Sequence, residues 1–141
     1  MVATLRYLLD ANVLSEPMRP RPDASVVEML KRSLDECATS ALVLHELEFG
    51  VARLPVSRKK AILTSYLVDV VGKIPSLPYD ASAARWHALE RARLAKRGRV
   101  PSFVDGQIAA TAVVCGLVLI TRNLADFQSF DGLRVNSWFS V

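Results

Sequence analysis

Three acidic residues occupy positions where they could do chemistry together. Asp10 ends the apolar run Leu5–Leu9, Glu46 falls inside an otherwise apolar helical segment, and Asp105 opens another. Each also has a structural explanation. Asp commonly caps the turn after a strand, which accounts for Asp10 taken alone. On a helix over Ala41–Leu54, Leu42, Val43, Phe49 and Gly50 surround Glu46 on a broad apolar arc, with Glu48, His45 and Ala52 on the polar side. A carboxylate on a buried arc is costly unless paired or cation-bound. Gly50 would leave room beside it, and Arg53 offers a structural ion pair. Asp105 shares a stripe with Ile108, Ala109 and Ala112, and it also completes a capping box begun by Ser102. Asn123 and Asp126 follow a second apolar run, Leu117–Thr121, where either is turn chemistry or a further oxygen ligand.

A donor set made only of oxygen favours Mg²⁺ or Mn²⁺ over zinc, and no His or Cys cluster competes. Such ions hold phosphate oxygens, activate water and stabilise a leaving oxygen. With basic segments in the same chain, the expected chemistry is metal-dependent phosphodiester hydrolysis. Two other functions fit parts of the pattern. An aspartate-nucleophile phosphohydrolase also needs an Asp after its first strand, but usually a second Asp two residues on, where this chain has Asn12. A non-catalytic binding module would use the acids only as caps and ion pairs, and divalent ions would not stabilise it.

The elements that must position these groups alternate between strand and helix. Leu5–Leu9 predicts a buried strand, and Pro17, Pro20 and Pro22 a stiff connector. Asp23 caps a helix over Ala24–Leu34, a short strand is expected at Cys37–Ser40, and Pro55 stops the helix that carries Glu46. Ser57 caps a helix to Gly72, Ile74–Leu77 is a short strand, and Asp80 caps a long helix ending at Gly98. A helix from Ser102 to Gly116, the strand Leu117–Thr121, a turn or helix at Ala125–Phe130 and a last strand at Arg134–Asn136 complete the chain. Alternation of this kind predicts an α/β fold with a parallel sheet, whose site lies beyond the carboxyl ends of the strands. Asp10 and Arg122-Asn123 follow the two strongest strands.

Composition sets the frame. A chain of 141 residues, 51% hydrophobic and 23% charged, is expected to form one domain over 1–141 with a proper core. No apolar run approaches the roughly 20 residues that span a bilayer. The start, Met1-Val2-Ala3-Thr4-Leu5-Arg6, has no charged segment leading into a long apolar one, so a cytoplasmic protein is expected. Cys37 and Cys115 read as two buried thiols in a reducing compartment. The net charge of +4 suits a polyanionic partner. Arg91, Arg93, Lys96, Arg97 and Arg99 crowd one stretch and Arg19 and Arg21 another, although a solvated helix face is the simpler explanation of such runs. His45, His87, Tyr7, Trp86 and Trp138 read as surface or packing residues. The apolar faces of Ala24–Leu34 and Arg58–Gly72 read first as core and second as dimer or partner contacts.

The segment Leu8-Leu9-Asp10-Ala11-Asn12-Val13-Leu14-Ser15-Glu16 resembles the opening motif of the PIN-domain ribonucleases. Glu46-Leu47-Glu48-Phe49-Gly50 is similar to their second motif, Asp105-Gly106-Gln107-Ile108-Ala109-Ala110-Thr111-Ala112 to the third, and Thr121-Arg122-Asn123 with Asp126-Phe127 to the fourth. The continuation Glu16-Pro17-Met18-Arg19-Pro20 looks most like the VapC and FitB branch, the toxins of bacterial toxin–antitoxin pairs. This resemblance implies a three-layer α/β/α sandwich around a mainly parallel sheet. It implies a Mg²⁺- or Mn²⁺-dependent endoribonuclease, a homodimer and a cognate antitoxin. It makes Asp10, Glu46 and Asp105 the acidic metal site, with Asn12, Thr121 and Asn123 in support and Asp126 as a further catalytic acid. Arg19, Arg97, Arg99 and Arg122 become candidate contacts to RNA or antitoxin. Two positions depart from the pattern. Ala11 stands where the family often has Thr or Ser, and Asn123 where some relatives carry a fourth acid, which leaves Asn123 or Asp126 to complete the site.

Overall fold

The computed structural model describes residues 4–141, so Met1–Ala3 of the opening segment lie outside it. Five parallel strands form one sheet in the order β3-β2-β1-β4-β5. They are β1 (Tyr7–Leu9), β2 (Cys37–Ser40), β3 (Ser76–Leu77), β4 (Val118–Ile120) and β5 (Val135–Asn136). The central strand β1 pairs Leu9 with Thr39 on one side and with Ile120 on the other. Leu8, Leu9, Leu119 and Ile120 are fully buried, as expected of strands covered on both faces.

Helices α1 (Ala11–Leu14), α2 (Ala24–Ser33), α3 (Ala41–Ala52), α4 (Arg58–Asp69), α5 (Ala81–Lys96), α6 (Phe103–Val114) and α7 (Leu124–Phe127) fill the connections. Right-handed crossovers place the helices between β1 and β3 on one face and those between β3 and β5 on the other. This is the expected α/β/α layering. The direction of winding reverses between β1 and β4, so a crevice opens beyond the carboxyl ends of those two strands. Asp10 and Thr121 are the residues that follow them.

The expected caps form. The side chains of Asp23, Ser57, Asp80 and Ser102 each accept a backbone N–H of the following turn. Gly98 and Gly116, at φ +71° and +68°, end α5 and α6 in the left-handed conformation that glycine adopts freely. Three expectations need correction. Helical structure not expected from the sequence runs into the proline-bearing connector: α1 follows Asp10, and Pro17 itself lies within a 3₁₀ turn over Glu16–Met18. The Ser57 helix ends at Asp69, and a 3₁₀ turn over Val71–Lys73 replaces its last turn. Cys37 is buried as expected, but Cys115, at the C-cap of α6, is exposed.

The basic stretch of α5 is only partly a solvated face. Glu90 is buried and takes two hydrogen bonds of 2.7 Å from the Arg93 guanidinium, which also donates to the Ser129 carbonyl. Glu90 further accepts the Asp131 N–H, so the group ties α5 to the turn before β5. The Arg93 hydrogen bonds outweigh burial and hold the Glu90 carboxyl below its ordinary range. A lowered folded pKa gives stability that is present above the unfolded value and lost as pH falls through the folded one. Glu90→Gln is therefore expected to melt lower than the wild type at pH 7, with a cost of about 1–3 kcal/mol for a half-broken charge pair. The gap should close in melts repeated towards pH 3.

Candidate active site

The site is built at the crevice between β1 and β4. Asp10 leaves β1 in extended conformation and its Oδ1 accepts the Ala11 N–H at 2.8 Å, which starts α1. Its Oδ2 accepts the Thr121 hydroxyl at 2.8 Å, and the residue is only 8% exposed. Thr121 is fully buried and its hydroxyl is saturated. It donates to Asp10 and accepts from the Asn123 N–H at 3.1 Å and the Asn12 Nδ2 at 3.4 Å. Both of those partners can only donate, so the single Thr121 proton must point at Asp10. Asn12 closes the ring by accepting the Arg122 N–H on Oδ1 at 3.0 Å. One hydroxyl thus locks the first and fourth motifs together and fixes the Asp10 carboxylate as an acceptor.

Glu46 reaches the same cleft from α3 and Asp105 from the first turn of α6. The cleft holds about 560 Å³ and is lined by Asp10, Asn12, Glu46, Asp105 and Asn123, with Leu42, Val104 and Ile108 as apolar wall. At Asp105 only one half of a capping box forms, the Asp105 N–H donating to the Ser102 Oγ at 3.1 Å. Asp105 nonetheless lines the cleft, with the Ser102 side chain as a hydrogen-bonding neighbour of its carboxylate. Partial desolvation within the cleft pushes the carboxyls of both Glu46 and Asp105 up. The charge of Asp10 adds to the rise at Glu46, and those of Asp10, Asp126 and Glu46 add to it at Asp105. Like charges are being held together in a partly dry place, an arrangement that a cation relieves.

The position of Asp105 depends on a glycine. Gly106 lies against the His87 ring of α5, and a Cβ there would overlap that ring. His87 has little room to yield, being buried, bonded to the Tyr79 hydroxyl at 2.9 Å and packed on Phe103. Gly106→Ala is expected to destabilise the fold by about 1–3 kcal/mol through overpacking. Thermal melting checks this.

The model of the PIN domain family matches residues 7–133. The chain belongs to the PIN domain family. It is 36% identical to Toxin FitB of Neisseria gonorrhoeae over 93% of this chain and 97% of that protein. It is 32% identical to a tRNA(fMet)-specific endonuclease VapC of Shigella flexneri over 95% of this chain and 98% of the relative. A solved structure of FitAB bound to a DNA fragment superposes with a TM-score of 0.85 at 32% identity, covering 96% of each chain.

Within this PIN domain the remaining sequence candidates separate by place. Asn123 lines the cleft with Asp10 and Glu46, whereas Asp126 is exposed and lines an adjoining depression with Asp105 and Arg99. Arg19 sits 3.7 Å from the buried Glu16 and shares a second groove with Glu46 and Lys59. Arg122 is exposed, its guanidinium over the Phe139 ring at 5.0 Å. Arg97 is exposed at the end of α5 and lines neither the cleft nor the depression beside it. Ala11 offers no hydroxyl, but its N–H already serves Asp10.

One expectation about Glu46 is overturned. Its arc is only partly buried: Val43 is fully buried and Leu42 packs against the core, but Glu46 and Phe49 are exposed. Glu46 stands at the exposed edge of the arc, where Leu42 also forms part of the cleft wall. Gly50 opens onto free space, and Arg53 lies over Phe49 instead of pairing with Glu46. His45, set aside in the sequence, lines the cleft. Its i, i+4 spacing to Phe49 beside an acidic residue was the available signal.

Proposed function

We propose that this chain is a divalent-cation-dependent endoribonuclease, a single nuclease domain acting in the cytoplasm as the toxin of a toxin–antitoxin pair. One observation carries the chemistry: three carboxylates from separate elements, Asp10, Glu46 and Asp105, face one cleft at the point where the sheet reverses its winding. The relatives named as a toxin and as a tRNA endonuclease, matched over nearly their whole length, support RNA as substrate and an antitoxin as partner.

The donors suit Mg²⁺ or Mn²⁺. Among the described residues no three His, Cys, Asp or Glu side chains converge into a ready-made metal cage. A hard cation that keeps several waters needs only one or two carboxylates, so an open set of oxygen donors fits it better than it would fit zinc. Asp10, Glu46 and Asp105 would hold the ion, with Asn123 as a neutral oxygen donor. When bound, such an ion polarises a phosphate oxygen and lowers the pKa of water.

The chain's own contribution is orientation and charge. Thr121 and the Ala11 N–H keep Asp10 aimed. Glu46 and Asp105 hold protons more tightly than ordinary carboxyls, so protons compete for the site as pH falls. Cleavage is therefore expected to rise with pH through their raised pKa values. The assay incubates the protein with structured RNA in Mg²⁺ or Mn²⁺ and in chelator, beside Asp10→Asn. Cutting that needs the ion and is lost in the variant is expected. A wild type that cuts nothing, or a variant that cuts as well, would remove the proposal.

A further inference from the structure

The outer edge of α3 carries a feature that hydrolysis does not use. His45, Phe49 and Arg53 recur every four residues and so stand one above another on the helix. The His45 and Phe49 rings are within 14° of parallel, with centroids 6.2 Å apart. At that separation the rings overlap little. The Arg53 guanidinium lies over the Phe49 ring at 5.8 Å, near the outer limit of a cation–π contact. Phe49 is 59% exposed. Phe103, the other exposed phenylalanine beside the cleft, differs because its ring is packed on the buried His87 at 4.8 Å. His45 lines the same cleft as Asp10, Glu46 and Asp105, and Phe49 follows it one turn further along α3.

We propose that His45, Phe49 and Arg53 form a ledge on which unpaired nucleobases next to the cleaved phosphate stack. The occupant is a single-stranded stretch of RNA. Bases in that state present open ring faces that aromatic and guanidinium planes take up, and the adjoining phosphates suit the charge of Arg53. Continuity with the cleft places the first stacked base beside the carboxylates. The inference rests on the ribonuclease reading and adds to it the side chains that hold the bases flanking the cut.

The test measures binding without turnover, in Asp10→Asn protein, by fluorescence anisotropy of a short labelled single-stranded oligoribonucleotide. Phe49→Ala is expected to weaken binding about tenfold, and Phe49→Trp to retain it with indole fluorescence quenched by the RNA. An oligonucleotide carrying an abasic ribose at the stacking position should bind about tenfold more weakly to the parent and no more weakly still to Phe49→Ala. Phe49 is exposed, so both variants should fold, as melting curves will show. Equal binding by Phe49→Ala, or abasic losses that add to its effect at every position, overturn the ledge. So does a change from dimer to monomer with RNA affinity per protomer intact, which would assign the face to a second copy. A wild type that binds through Phe49 but cleaves no RNA in Mg²⁺ would count against the nuclease reading alone.

Discussion

Asp105→Asn is expected to melt higher than the wild type in chelator at neutral pH, and to cleave RNA at least about a hundredfold more slowly, on the scale of losing a charge-stabilising group. Burial and the charges of Asp10, Asp126 and Glu46 raise the Asp105 carboxyl above its unfolded value. For an acid raised in this way the ionised form is the unfavourable one in the fold. Its cost is present in full above the folded pKa and disappears below the unfolded one. The wild type should therefore gain stability as pH falls through the raised value, and the Asn variant should lack that increment. Adding Mn²⁺ should invert the order, because the wild type gains a ligand that the variant binds poorly. Melting with and without Mn²⁺ at pH 5 and 8 checks all of these signs. A variant less stable than the wild type in chelator would mean that Asp105 is a structural cap.

Thr121→Val should be the most damaging change at a residue outside the carboxylates. It removes the hydroxyl that serves Asp10, Asn12 and the Asn123 N–H together, in a place with no exposure to water. Unpaired buried polar groups of this kind cost about 1–3 kcal/mol. Losing the orientation of a ligating carboxylate typically costs about 10–100-fold in metal affinity or activity. Thr121→Ser keeps the hydroxyl and should restore most of the activity while remaining less stable than wild type through the lost methyl group. A merely structural role would instead make activity track stability across the two variants. Rates at saturating Mg²⁺ and melting temperatures, measured side by side, separate these outcomes.

Much of this arrangement is legible in the sequence because strands covered on both faces read as apolar runs. Leu8-Leu9 and Leu119-Ile120 mark β1 and β4, and whatever follows them must stand at the carboxyl edge of the sheet. That alone places Asp10 and Thr121. Their hydrogen bond is not legible, since it spans 111 residues and exists only because β4 pairs directly with β1. Glu46 teaches the opposite lesson. Periodicity detects its apolar arc but cannot tell a face turned to the core from one lining a cleft, because Leu42, Val104 and Ile108 make the cleft wall apolar too. Asn123 and Asp126 lie within a few residues of each other, and the turn of α7 decides which enters the cleft. Cys115 follows the apolar stripe of α6, yet the chain leaves the helix there towards Gly116 and exposes the thiol.

The claim that Asp10, Glu46 and Asp105 act as one cation site is tested most directly by titrating Mn²⁺ into the wild type and into the Asp10→Asn, Glu46→Gln and Asp105→Asn variants by calorimetry. Saturable binding in the wild type, accompanied by proton release that grows as pH falls towards the raised pKa values and weakened in every variant, is the predicted result. Absence of binding in the wild type, or undiminished affinity in the three variants, would contradict it.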